Sequence, residues 1–171
     1  MGEISKEAVA GVWPLQLGEA HITMTFPSIS ATAIGRLLGS IYGLPYPIGF
    51  LIHLLTLPLP VLVAVGMYVA TGFRRYQLTS QRVRIRRGIG AREVQQVPLA
   101  ELDSVRLQQR PGQNYYRAAD LELVAGDKVL VTLPGVPNHE AFQHNILEAR
   151  AALLQVRECV NAQETAAAAS P

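Results

Sequence analysis

With 171 residues, 49% of them hydrophobic, and a formal net charge of +2, the chain has room for one domain plus an apolar segment and is not a general polyanion binder. Its single cysteine, Cys159, excludes an intrachain disulfide and a cysteine-based zinc site. The opening M-G-E-I-S-K-E has no apolar run directly behind it, unlike a cleavable secretory signal, and Lys6 stands where a myristoylation pattern needs Ser or Thr.

Residues 1–26 are mixed. Leu15-Gln16-Leu17 and His21-Ile22-Thr23-Met24-Thr25-Phe26 alternate in polarity, which predicts a short strand or an extended segment lying on something apolar. Trp13 suits a membrane interface or a packed position equally well. Over 27–46, Ser28 is placed to cap a helix, and Ile29, Ala33, Leu37, Leu38 and Ile41 recur at near-helical spacing. Arg36 at a bilayer centre would cost at least about 2.5 kcal/mol, so this helix is expected at the interface or shallowly inserted. Gly43-Leu44-Pro45-Tyr46-Pro47 breaks it.

The twenty-six residues 48–73 contain no Asp, Glu, Lys or Arg. Such a run is long enough for a hydrocarbon core of roughly 30 Å. Pro58 and Pro60 divide it. One kinked span is one reading; the favoured one is a hairpin of helices over about 29–56 and 60–73, turning at Pro58-Leu59-Pro60. His53 lies inside the block, and an intramembrane ionisable residue is a functional candidate by default. A neutral histidine bonded to a helix carbonyl is the plainer account.

Arg74 to Arg92 then holds seven arginines and no acid. By the positive-inside rule this side faces the cytoplasm. Residues 75–134 read as a sheet. Arg75-Tyr76-Gln77-Leu78-Thr79 is expected as its first strand, and Arg82 to Arg86 alternates strictly, with Val83 and Ile85 inward. Gly88-Ile89-Gly90 is a turn, Arg92–Val97 a strand, and Ser104–Gln108 another. Asp120–Val124 and Lys128–Leu133 form a hairpin about Gly126-Asp127. Asn138 is placed to cap a helix on which Phe142, Ile146, Ala149, Leu153 and Val156 make one apolar stripe. From Cys159 on no packing pattern remains, so a disordered Ala-rich tail is expected.

Four segments in this order, Y-Q-L-T-S-Q-R-V-R-I-R-R-G (76–88), V-P-L-A-E-L-D-S-V (97–105), A-D-L-E-L (119–123) and L-P-G-V-P-N-H-E-A-F-Q-H-N-I-L-E (133–148), resemble the membrane-flanked bacterial PH-like (YdbS-like) family. The chain departs from that pattern at Ala119, where the family commonly has glycine. The resemblance implies an α+β fold. N-terminal membrane-embedded helices precede a PH-like antiparallel β-barrel or sandwich, which a C-terminal amphipathic helix caps. The expected divisions are an extended segment (1–26), a helical membrane region (27–73), a PH-like domain (74–158) and a tail (159–171). The family implies a non-enzymatic module without a cofactor.

Two clusters are candidates for function. Arg74, Arg75, Arg82, Arg84, Arg86 and Arg87 suit anionic lipid headgroups, at roughly 1 kcal/mol per cation, against the plainer account of a topology signal and a solvated strand face. Arg110, Asn114, Tyr115, Tyr116 and Arg117 suit protein contact, where Tyr and Arg are enriched, against tyrosines that cap the barrel. The expected partners are membrane lipids and either a protein or a second copy of the chain. No nucleic-acid signature is present. Nor is a catalytic constellation or metal-ligand spacing; His139 and His144, five apart, do not share a helix face. The sequence therefore points to a scaffold or oligomerisation module on the cytoplasmic face of a bacterial inner membrane. The alternatives are an accessory subunit of a membrane enzyme or transporter, and a lipid-binding or transfer protein using 27–73.

Overall fold

A computed structural model of the chain describes residues 19–71, 74–88 and 92–168. The expectations for Trp13, for Leu15-Gln16-Leu17 and for the turn at Ile89-Gly90 lie outside the described residues.

Among the described residues, seven antiparallel strands form two sheets. The first runs β1 (His21–Thr25), β2 (Arg75–Thr79), β3 (Arg82–Arg87) and β4 (Arg92–Pro98); the second runs β5 (Ser104–Gln108), β6 (Ala118–Ala125) and β7 (Lys128–Pro137). The expected barrel or sandwich, closed by a C-terminal helix, is therefore present. The period-2 pattern explains it. Leu78, Val83, Ile85 and Val97 from the first sheet share one core with Val105, Leu121, Leu123 and Leu133 from the second. Helix α4 (His139–Ala168) lays Phe142, Ile146, Ala149 and Leu153 onto this core, four of the five residues of the expected stripe; Val156 is only half-buried and stands outside the core.

The first strand is not where the sequence places it. β1 pairs antiparallel with β2, Thr25 opposite Tyr76 and Met24 opposite Gln77. The sheet thus begins at His21, and the helices are an excursion between its first two strands. About fifty residues separate these partners, so no local turn signal announces the pairing.

The excursion also differs from the expected hairpin. A 3-10 turn (Ile29–Ala31) leads into α1 (Ala33–Tyr42), α2 (Ile48–Leu55) and α3 (Pro58–Thr71). Ser28 caps only the 3-10 turn; the cap of α1 is Thr32, whose hydroxyl accepts from the Gly35 N–H at 3.0 Å. The chain turns at Thr56-Leu57, and Pro58 and Pro60 stand in the first turn of α3 rather than forming the bend. That is where proline is tolerated, because first-turn N–H groups have no helical acceptor. The axes of α2 and α3 differ by 63°.

Helix α4 also continues to Ala168, through the segment expected to be a disordered tail. The segment lacks an apolar stripe, yet Ala, Gln and Glu favour helix intrinsically.

Candidate functional site

The outward face of β3 is a paired ladder. Alternation buries Val83 and Ile85 and turns Arg82, Arg84 and Arg86 the other way. Glu19 lies before β1, and Glu93 is on β4 opposite Arg86. Arg82 Nε is 3.2 Å from Glu19, and Arg82 Nη1 donates to Gln96 at 2.8 Å. Arg84 pairs with Glu19 and, at 2.8 Å, with Glu93; Arg86 reaches Glu93 at 3.5 Å. Three guanidiniums share two carboxylates, so little charge remains for an outside anion.

The arginines at the α3 end of the sheet differ. Arg75 Nη2 donates to the Gly88 carbonyl at 3.0 Å, and Arg87 Nη2 to the Ala70 carbonyl of α3 at 3.1 Å. Both partners are neutral, so both cations keep their full charge. Arg74 lies near the Tyr76 hydroxyl, and its positive charge favours the phenolate there. Arg87 also lies directly opposite Arg92, a like-charge cross-strand pair that costs stability. The six candidate arginines thus fall into two groups, and Arg92 joins the second. Sequence reasoning missed Arg92 because only the β3–β4 register brings it beside Arg87.

The 109–117 loop is built around Asp120, which is 2% exposed. Its Oδ1 accepts from Gln113 Nε2 at 2.6 Å and from the Gly135 N–H at 2.8 Å; Oδ2 meets Arg110 Nε at 3.0 Å. Gln113 is fully buried and returns its Oε1 to the Arg110 N–H at 2.7 Å. On the same kink of β7, Tyr76 Oη donates to the Pro134 carbonyl at 3.0 Å, and the Ser28 N–H to the Gly135 carbonyl at 2.7 Å. Burial pushes the Tyr76 phenol pKa well up. This network ties the A-D-L-E-L strand to the L-P-G-V-P segment of β7. Arg110 is accordingly a structural cation.

The loop meets the helices. Gly112 has φ +82°, and a side-chain carbon there would lie 1.8 Å from the Arg36 carbonyl of α1; one on Gly39 would lie 2.2 Å from the Gly112 carbonyl. Helix and loop thus touch backbone to backbone, which only glycines permit. Tyr115 and Tyr116, expected as protein contacts, pack edge to face with ring centres 5.0 Å apart. Tyr115 Oη is 3.3 Å from His53 Nδ1, and Tyr42 Oη is 2.7 Å from Thr56 Oγ1. The ring of Tyr42 meets His53 edge-on at 4.7 Å. His53 therefore bonds a tyrosine rather than a helix carbonyl. Burial, with Tyr42 and Tyr115 nearby, pushes the Tyr116 pKa up to about 12. Asn114 and Arg117 are exposed and line a cleft of about 430 Å³ against the start of α4.

Beyond this junction the excursion is apolar and open. Ten large apolar side chains between Ile48 and Val69 are more than half exposed. Among the described residues no single helix is long and apolar enough to cross a membrane, but the bent pair α2–α3 passes together. Among them, too, no group of three or more His, Cys, Asp or Glu could hold a metal ion. His144 pairs with Glu148 at 3.4 Å on exposed helix surface, and Cys159 is exposed.

The model of one family, described as "Bacterial PH domain", matches residues 25–150. The match takes in the α1–α3 excursion and strands β2 to β7, and reaches only the last residue of β1. No curated protein and no solved structure matches the chain.

Proposed function

Because the chain belongs to the bacterial PH domain family, we propose that it is a non-enzymatic binding module held on a membrane by its helical excursion. The membrane-flanked arrangement of the YdbS-like subgroup fits this reading. The open apolar surface of α2 and α3 carries it. Moving ten half-exposed side chains out of water is worth about 1 kcal/mol each, hence about 10 kcal/mol in all. A monomeric soluble protein rarely leaves such a patch uncovered.

Length decides the manner of insertion. Helix α2, with 8 residues, is about 12 Å long and α3, with 14, about 21 Å. Each falls short of a hydrocarbon core of roughly 30 Å. The chain leaves the barrel through α1, fastened at Gly112, and returns where Arg87 bonds Ala70. A wedge that enters and leaves on one face follows, and the hairpin reading is favoured over a single span. Arg74, Arg75, Arg87 and Arg92 then stand at headgroup level, while Arg82, Arg84 and Arg86 stay with Glu19 and Glu93. By charge, that face is the cytoplasmic side of a bacterial inner membrane.

Flotation of the full chain on vesicles tests this. The expected result is co-flotation that survives carbonate washing and strengthens with anionic lipid. Release by carbonate, or a stable lipid-free dimer that hides the α2–α3 face, would overturn it.

A further inference from the structure

The cleft between the 109–117 loop and the start of α4 has a volume typical of small-ligand sites. Gln109, Asn114 and Arg117 form one wall; Asn138, His139 and Glu140 form the other. The walls are held at a set spacing. Arg117 and Asn138, at φ 48° and 47°, are the two non-glycine residues with positive φ among the described residues, and the Asn138 N–H donates to the Arg117 carbonyl at 3.2 Å. A left-handed arginine is uncommon and costs backbone energy.

The charges are the informative part. Neither the Arg117 guanidinium nor the Glu140 carboxylate has an ion-pair partner among the described residues. They face one cleft from two elements without pairing with each other. A simple anion would be repelled by Glu140, and a simple cation by Arg117. A ligand carrying both charges satisfies both walls, and the amides of Gln109, Asn114 and Asn138 suit its polar oxygens.

We propose that this cleft binds a phosphodiester bearing its own ammonium group, a zwitterion of the phosphoethanolamine class. The phosphate meets Arg117 and the amides, and the ammonium meets Glu140. The choice of phosphodiester over other zwitterions rests on the membrane reading. Asn114 and Arg117 belong to the same loop as Tyr115, whose hydroxyl touches His53 of α2, so one wall of the cleft is the loop that carries the proposed wedge. The ligand's source is a lipid headgroup or a free diester of the same chemistry.

Glycerophosphoethanolamine is titrated into the full chain in detergent and followed by amide NMR. Shifts are expected at 109–117 and 138–141, with inorganic phosphate or ethanolamine alone binding more weakly. Arg117→Asn, which tolerates the left-handed backbone, and Glu140→Gln should each weaken binding about tenfold or more, the usual loss for a hydrogen bond to a charged group. Unchanged affinity in Glu140→Gln, tighter binding of free glycine, or no shifts at the cleft would overturn the proposal. Vesicles with and without phosphatidylethanolamine separate the sources. A wild-type preference for that lipid, lost in Arg117→Asn, marks the headgroup; binding of the soluble diester without such a preference marks a free ligand. A chain that floats on no vesicle refutes the membrane reading alone, because the detergent titration judges the cleft independently.

Discussion

Leu55→Asp separates folding from membrane binding in one substitution. Leu55 closes α2 and is 84% exposed. In water it has little packing to lose, so the fold should barely notice the change. The chief cost is an acid near a helix C-terminus, about 0.3–1 kcal/mol. In a membrane the outcome differs. Exchanging leucine for aspartate inside the hydrocarbon costs about 3 kcal/mol, which is about two orders of magnitude in partition. Flotation across a lipid series measures the partition, and denaturant unfolding in detergent measures the fold. The expected pattern is a roughly hundredfold loss of lipid binding with a stability change below about 1 kcal/mol. Unchanged partition would refute the reasoning. So would a stability loss of several kcal/mol, because Leu55 would then be packed against protein, as in a second copy of the chain.

Three further outcomes follow from the site. Asp120→Ala leaves Gln113 and the Gly135 N–H buried without an acceptor, and should cost about 3–5 kcal/mol in denaturant unfolding; a loss below about 1 kcal/mol would show the network to be incidental. Gly112→Ala drives a side-chain carbon into the Arg36 carbonyl at φ +82°, so a loss of about 2 kcal/mol or more is expected. Faster hydrogen exchange across Ala33–Tyr42 is the direct readout of α1 leaving the loop. Arg87→Gln should weaken binding to anionic vesicles by about 1 kcal/mol, near fivefold, whereas Arg84→Gln should leave vesicle binding unchanged and lower stability, because Arg84 serves Glu19 and Glu93.

Much of the barrel was legible because its signals are local. Strict alternation at Arg82–Arg86 and the stripe at Phe142, Ile146, Ala149 and Leu153 each follow from one element's own period. What stayed hidden depends on distant partners. β1 alternates, but nothing near it says that its mate lies beyond three helices. Glu19, near the start of the chain, neutralises arginines some sixty-five residues away. The prolines misled for a different reason. Their spacing breaks a helix interior, yet the same chemistry starts a helix, and only the position of Thr56-Leu57 decides between the two.

The same distinction governs the candidate site. Read as a string, the arginines from Arg74 to Arg92 form one cluster and the tyrosines a separate loop. Register divides the first group, because a strand with period 2 sends Arg82, Arg84 and Arg86 to the face where Glu93 waits, while the strand ends put Arg87 beside Arg92 and against α3. Packing joins the second group to the apolar block, since Gly39 and Gly112 let backbones touch and so bring Tyr115 onto His53. A histidine within an apolar run and a tyrosine pair in a basic loop are each ambiguous alone. Together they make a joint between wedge and barrel. On the proposed membrane placement, a joint of this kind would fix the barrel's tilt through α1 and the 109–117 loop rather than leave it to a linker. The same placement would hold the cleft at Arg117 and Glu140 at a constant height above the bilayer.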